Sequence, residues 1–208
     1  MKPFFLSLAL SLMGFCHSVH AQGMQKAPAS ADTLTQQQLE DFGNEAKNRI
    51  KAFVDYLGVI ADKNRSFEER NDAIRQAMLM FQKTTMNGKP PMVEISNIRT
   101  GKYSYYPIRQ YLEKIKTLSY DRVEITNFES VRLNNWEKQP DGSYRATGQY
   151  FQGFKAWKNG NTQPVYADKT TKKIAADLNV REDPFYKEKQ WMVLFGDITV
   201  AMTEQDNN

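Results

Sequence analysis

From Leu39 onward apolar residues return every three or four positions, at Leu39, Phe42, Ala46, Ile50, Phe53, Leu57 and Ile60. Such spacing tracks the helical turn and places these side chains on one face, so one long amphipathic helix is predicted, ending near Asp62. Thr35 and Gln38 in TQQQ supply its start, because the two side chains of such a pair each satisfy a main-chain N–H that the first turn leaves open. Ser66 and Glu69 in SFEE repeat the device ahead of a second stripe, Ile74, Ala77, Met78 and Phe81. Asn87-Gly88 reads as a turn and MVEISNI as a short strand. Pro107 is expected as the first residue of a third helix, where its missing N–H costs nothing, with Ile108, Tyr111, Leu112, Ile115 and Leu118 as the apolar face.

After Asp121 the period changes to two. Four long antiparallel strands are predicted, at about 121–137, 143–157, 163–180 and 188–203, with Asp141-Gly142 and Asn159-Gly160 as the first two turns. The last strand is apolar at every position from Trp191 to Phe195, which predicts a central place with both faces covered.

An Asn-Gly turn of two residues fixes a register: Lys158 opposite Asn161, Phe154 opposite Val165, Gly153 opposite Tyr166 and Phe151 opposite Asp168. Even positions Tyr144, Ala146, Gly148, Tyr150, Phe154 and Ala156 then face the core, and odd ones such as Arg145, Thr147, Gln149 and Lys155 face out. Val165 and Ala167 continue the core face, but Ile174, Ala176 and Leu178 have the opposite parity, so a bulge is expected within DKTTK. There Asp168, Lys169 and Thr170 either make polar contacts beside a site or merely accompany a bend. In this register Tyr166 covers Gly153 from outside, and Phe151 and Trp157 share that outer face with Lys155. The outer set reads as packing under a loop, as a protein interface, or as a platform for a sugar ring.

The first residues, MKPFFLSLALSLMGFCHSVHAQG, combine a lysine, a short apolar run and a small-x-small site at Val19-His20-Ala21. They are expected to be a signal peptide, residues 1–21, cut after Ala21; the run is shorter than the about 20 residues a membrane span needs. A lipoprotein cut before Cys16 is the competing reading, against which Phe15 stands where a small residue belongs. Cutting after Ala21 removes Cys16, His17 and His20, the only cysteine and histidines of the chain. That excludes Cys and His nucleophile or base schemes, Ser-His-Asp triads and His or Cys zinc sites. It also predicts export without disulfides, to the periplasm or beyond the cell. Lys2 leaves with the peptide, so the formal charge falls from +4 to 4 − 1 = +3. So small a charge, in an exported chain, argues against nucleic acid as a partner. No phosphate-binding glycine loop, nucleophile elbow or acidic calcium loop is present, and no cofactor or metal is expected. Residues 22–34 read as a disordered tether, 35–204 as a single α+β domain and 205–208 as a tail.

The capped helix from Leu39, the SFEE-capped helix, the PIRQYL helix and the strands RVEITNF, YRATGQYF, PVYADKT and WMVLFGDITV occur in an order that resembles the nuclear transport factor 2-like superfamily. The resemblance runs from about Thr35 to Thr203. It implies a strongly bent sheet wrapped around the long helix as a cone with a pocket, commonly dimeric through the outer sheet face. Enzymes of that superfamily, isomerases and dehydratases, place an Asp in the cone with Tyr, His or another acid. No position here matches a catalytic motif of theirs, so no role is carried over. Asp55 and Tyr56 on the long helix, and Tyr144, Tyr150 and Phe154 on the core face, are the candidate pocket residues; a solvated helix flank and core aromatics are the bland alternative. The expected function is non-catalytic binding in the bacterial cell envelope, to a second copy, an envelope protein or a small ligand. A carbohydrate or peptidoglycan-fragment binder and an isomerase or dehydratase are the alternatives.

Overall fold

In a computed structural model the described residues are 33–85, 87–182 and 189–206. The expected signal peptide and most of the tether lie outside them. The fold is α+β, with three helices and a mixed sheet of eight strands among these residues.

Helix α1 (Gln36–Ala61) begins at the predicted capping box: Gln38 N–H donates to Thr35 Oγ1 and Thr35 N–H donates to Gln38 Oε1. Helix α2 (Phe67–Leu79) begins at Ser66 and Glu69 in the same way. The core lies along the α1 stripe, where Ala46, Ile50, Phe53, Leu57 and Ile60 are fully buried. Phe53 meets Phe81 and Tyr150 edge to face, at centroid distances of 5.2 and 6.4 Å. Leu34, which the sequence places in the tether, is buried, and its N–H donates to Tyr144 Oη. The expected tail also begins too early, since Gln205 is still strand and Asp206 pairs with Lys155 and Lys169.

Strands β1 (Met92–Asn97) and β2 (Lys102–Pro107) form a hairpin, and α3 (Ile108–Lys116) follows. Sequence reading misses β2: Lys102, Tyr103, Ser104 and Tyr105 are all exposed, so no buried face marks it. Pro107 closes that strand and caps α3 rather than standing inside it. The predicted strand at 121–137 is three pieces, β3 (Arg122–Asn127), β4 (Arg132–Leu133) and β5 (Glu137–Lys138), all paired with β6 (Tyr144–Trp157). Then come β7 (Tyr166–Glu182) and β8 (Lys189–Gln205). The order is β2-β1-β8-β7-β6-β3, with β1 parallel to β8 and the other neighbours antiparallel. As predicted, β8 is internal, and Val193, Leu194 and Phe195 are buried although they alternate between its faces; Trp191 is half-buried and Met192 exposed, so the expected covering of both faces starts at Val193.

The β6–β7 register departs from the predicted one. Asn159 and Gly160 do adopt positive φ (58° and 68°), and Asn161 N–H donates to Lys158 O, so the tight turn forms. The strands nevertheless do not continue from it. Trp157 Nε1–H donates to Thr162 O, folding residues 161–165 back as a loop, and pairing resumes only at Ala156 with Tyr166. Gly153 therefore faces Lys169 instead of Tyr166, and Phe154 faces Asp168. The shift is odd, so Tyr166, Asp168, Thr170 and Lys172 turn to the helix-facing side, in phase with Ile174, Ala176 and Leu178. The parity conflict disappears, and β7 needs no bulge against β6. The irregularities lie instead between β7 and β8, at Thr171/Lys172 and at Ile174/Ala176, where β8 carries the extra residues.

Candidate functional site

The site follows from how β1 leaves β8. The two strands pair only at Val93 with Ile198. Beyond that point side chains replace main-chain partners. Glu94 Oε2 accepts from Val200 N–H at 2.7 Å, where β8 is irregular, and Glu94 Oε1 accepts from Tyr105 Oη at 2.5 Å. The Glu94 carbonyl accepts from Lys172 Nζ at 2.9 Å, and the hydroxyls of Ser96 and Thr203 are bonded to each other. Buried main-chain groups are thus satisfied while the two strands separate.

The separation opens a cavity of about 430 Å³ between the β1–β2 hairpin, α3 and the helix-facing side of β6 and β7. Cross-strand pairs furnish the sheet wall, Phe154 beside Asp168 and Gln152 beside Thr170, with Lys172 deeper on the same face. Ile95, Ile115, Leu118 and Ile125 make the apolar part; Tyr106, Tyr111, Tyr120 and Tyr166 add rings. Phe154 sits between the rings of Tyr120 and Tyr166, at 6.5 and 5.8 Å.

Four polar groups of this wall are deeply buried: Gln152, Asp168, Thr170 and Lys172 are 6%, 6%, 4% and 3% exposed. Asp168 accepts from Tyr166 Oη at 2.7 Å and from Thr170 Oγ1 at 3.4 Å. Burial raises its carboxyl above the usual range, and Asp206 adds to that, against the Tyr166 bond, the Lys172 charge and the Thr170 bond. Burial lowers the Lys172 ammonium to about 8, opposed by the charges of Asp168 and Glu94. Tyr111 and Tyr166 are raised, first by burial and then by Asp168. Gln152 Oε1 has no hydrogen-bond partner. Chemically the wall offers a carboxyl, an amine, an amide oxygen and phenols beside apolar surface, the mixture that orients a small organic molecule. Among the described residues no cluster of three His, Cys, Asp or Glu side chains is placed to hold a metal, and no helix is long and apolar enough to cross a membrane.

Of the five pocket residues expected from sequence, only Phe154 lines this cavity. Asp55 is exposed on α1, because it falls outside the apolar stripe, and Tyr56 packs half-buried at the stripe's edge. Tyr144 is a core residue that receives the Leu34 N–H and meets the ring of Trp191 at 5.7 Å. Tyr150 is fully buried, and its hydroxyl has no partner.

The outer-face set separates. Tyr166 points to the helix side, because of the register shift. Phe151 and Trp157 do lie on the outer face but are only 6% and 7% exposed, covered by their own chain. Phe128 and the Arg132 guanidinium lie against Phe151 at 5.8 and 4.9 Å, and the Arg122 guanidinium stacks 3.7 Å from the Trp157 ring. Lys155 pairs with Asp206 at 3.2 Å. Gly153 is covered by Thr126 and Phe128, not by Tyr166. Of the residues assigned to a bulge, Asp168 and Thr170 line the cavity, whereas Lys169 turns outward to Asp206 at 3.1 Å.

Sequence reading misses Gln152, Lys172 and the contributions of β1, β2 and α3. One signal was available: stepping back by twos from Leu178 through Ile174 reaches Lys172, Thr170 and Asp168, a polar run on a core-facing parity. No family model, curated protein or solved structure matches the chain.

Proposed function

We propose that this chain is an exported domain that binds a small, ring-bearing organic molecule between α3 and its sheet, in a cone-like arrangement of the nuclear transport factor 2-like kind. The observation that carries the reading is the cavity with Asp168, Thr170, Gln152 and Lys172 buried along one wall. Burying a carboxyl and an amine costs several kcal/mol per ion if charged, and replacing such pairs with well-packed apolar residues is often neutral or stabilising. Lys172 does hold the Glu94 carbonyl, but that task does not call for Asp168, Thr170 and the unpartnered Gln152 Oε1 beside an open cavity, whereas a ligand site does. The superfamily assignment draws support from the element order of two helices, a hairpin, a third helix and long strands. The sugar reading loses its platform, since Trp157 and Tyr166 stand on opposite faces.

A second reading keeps a specific observation. The isomerase or dehydratase alternative calls for an acid with a phenol in the cone, and Asp168 receiving the Tyr166 hydroxyl replaces the exposed Asp55 in that role.

The test is ligand-observed NMR with a panel of one- and two-ring compounds against the wild type and Leu118→Trp, which fills the cavity. Binding by the wild type and its loss in the variant is the expected result. Silence from the whole panel, or binding that survives in a folded variant, would overturn the reading. Compounds recovered unchanged mark a binder, and compounds recovered isomerised or dehydrated mark the enzyme.

A further inference from the structure

The two ends of the cavity make opposite demands on whatever enters. At the floor, Gln152 Oε1 is buried without a partner and so calls for a donor. The carboxylate of Asp168 already accepts two hydroxyls, and the single ammonium of Lys172 is bonded to the Glu94 carbonyl and lies within the fields of Asp168 and Glu94. A further anion placed there would meet two acidic side chains and one shared ammonium, an unfavourable balance in a desolvated site. At the rim the charge has the opposite sign. Lys102 of β2 and Lys114 of α3 both line the opening, both are exposed, and neither is in an ion pair among the described residues. Lys114 Nζ lies 4.7 Å from the centre of the Tyr106 ring, and the Arg99 guanidinium stacks 5.2 Å from that of Tyr166, which adds one more cation beside the aromatic walls. A cleft whose entrance is lined by one sign of charge concentrates the opposite sign there.

Resting on the small-ligand reading above, we propose that the cavity takes a hydroxylated ring compound bearing a carboxylate on a short arm. Its hydroxyl donates to Gln152 Oε1 at the floor, the ring lies against Phe154 and Leu118, and the carboxylate sits between Lys102 and Lys114. A volume of about 430 Å³ suits one or two rings.

Four probes separate the elements of this proposal in calorimetric titrations of the full mature chain: 3-(4-hydroxyphenyl)propionate, 3-phenylpropionate, tyramine and 4-ethylphenol. The hydroxy acid is expected to bind most tightly. Deleting the hydroxyl weakens binding roughly fivefold, the worth of one ordinary hydrogen bond. Exchanging the carboxylate for the ammonium of tyramine weakens it further, and added salt lowers the affinity of the acids but not of 4-ethylphenol. The double variant Lys102→Glu, Lys114→Glu changes only exposed side chains, and it is expected to abolish the preference for the acid over 4-ethylphenol. Gln152→Leu is expected to abolish the preference for the hydroxyl. If tyramine binds as tightly as the hydroxy acid, or if the acid preference survives the double variant, the proposed orientation is wrong while the pocket stands. If 4-ethylphenol and the other three all fail to bind at millimolar concentration, the pocket reading falls with it.

Discussion

Lys172 shows how one residue carries the cost of the site. It sits where a strand face passes from the polar Asp168 and Thr170 to the apolar Ile174, Ala176 and Leu178, and burial brings its ammonium down from 10.5 to about 8. Between those values the unfolded chain holds a proton that the folded chain has released, so stability from this side chain rises as pH rises through the window. Below pH 8 both states are charged and the penalty is constant. Denaturant titrations of the wild type and Lys172→Met from pH 7 to 10.5 are therefore expected to show the wild type gaining on the variant above about pH 8. A difference that stays flat would mean that the amine keeps its proton in the fold. The neighbouring acid follows the opposite course: the raised Asp168 pKa favours the fold at low pH, and that contribution is lost as pH climbs through its folded value. The two residues together predict weakest support from this wall in the neutral range, where a ligand would supply what the protein withholds.

Among the elements, α1 approaches β6 closely at Gly148. A Cβ added to Gly148 would stand 2.4 Å from Ile50 Cδ1 and 2.9 Å from Ile174 Cγ2, both on fully buried side chains with no room to retreat. Gly148→Ala is expected to cost about 1–3 kcal/mol, read as a lower denaturation midpoint. Ile50→Val removes the colliding methyl, so combining the two is expected to destabilise less than the sum of the single changes. That joint was legible as a parity argument, because Gly148 falls on the even face of a strand opposite a periodic helix. The capped helices were legible too, since capping boxes and a stripe at helical spacing are local signals. The hairpin partner β2 and the loop after Gly160 were not. Neither shows in a hydropathy pattern: Lys102 to Pro107 has no buried face, and the loop is set by Trp157 reaching Thr162 and by where β7 finds a matching core face. Turn chemistry at Asn159-Gly160 was read correctly, yet it governed only the turn. The polar wall escaped for the same reason, being visible only once the register is known.

At the scale of the whole molecule, the sheet is unevenly joined. Strands β6, β7 and β8 pair along most of their length, and β1 with β2 pair at six positions, but these two parts meet at Val93 with Ile198 alone. A seam held by one main-chain contact and a few side chains opens at lower free energy than a full ladder. The β1–β2 hairpin is therefore expected to open more readily than the rest of the sheet, which would make entry to the cavity depend on that opening as well as on the width of its mouth. Amide hydrogen exchange is expected to show Ile95 to Tyr106 exchanging together and faster than Gly148 to Phe154, and slowing when the cavity is occupied. Equal protection of both segments would mean that the seam is as firm as the rest of the sheet. In kinetic terms, a seam tied mainly by the side chain of Glu94 predicts gated association, whose rate would report the protein's own opening and would level off as ligand concentration rises.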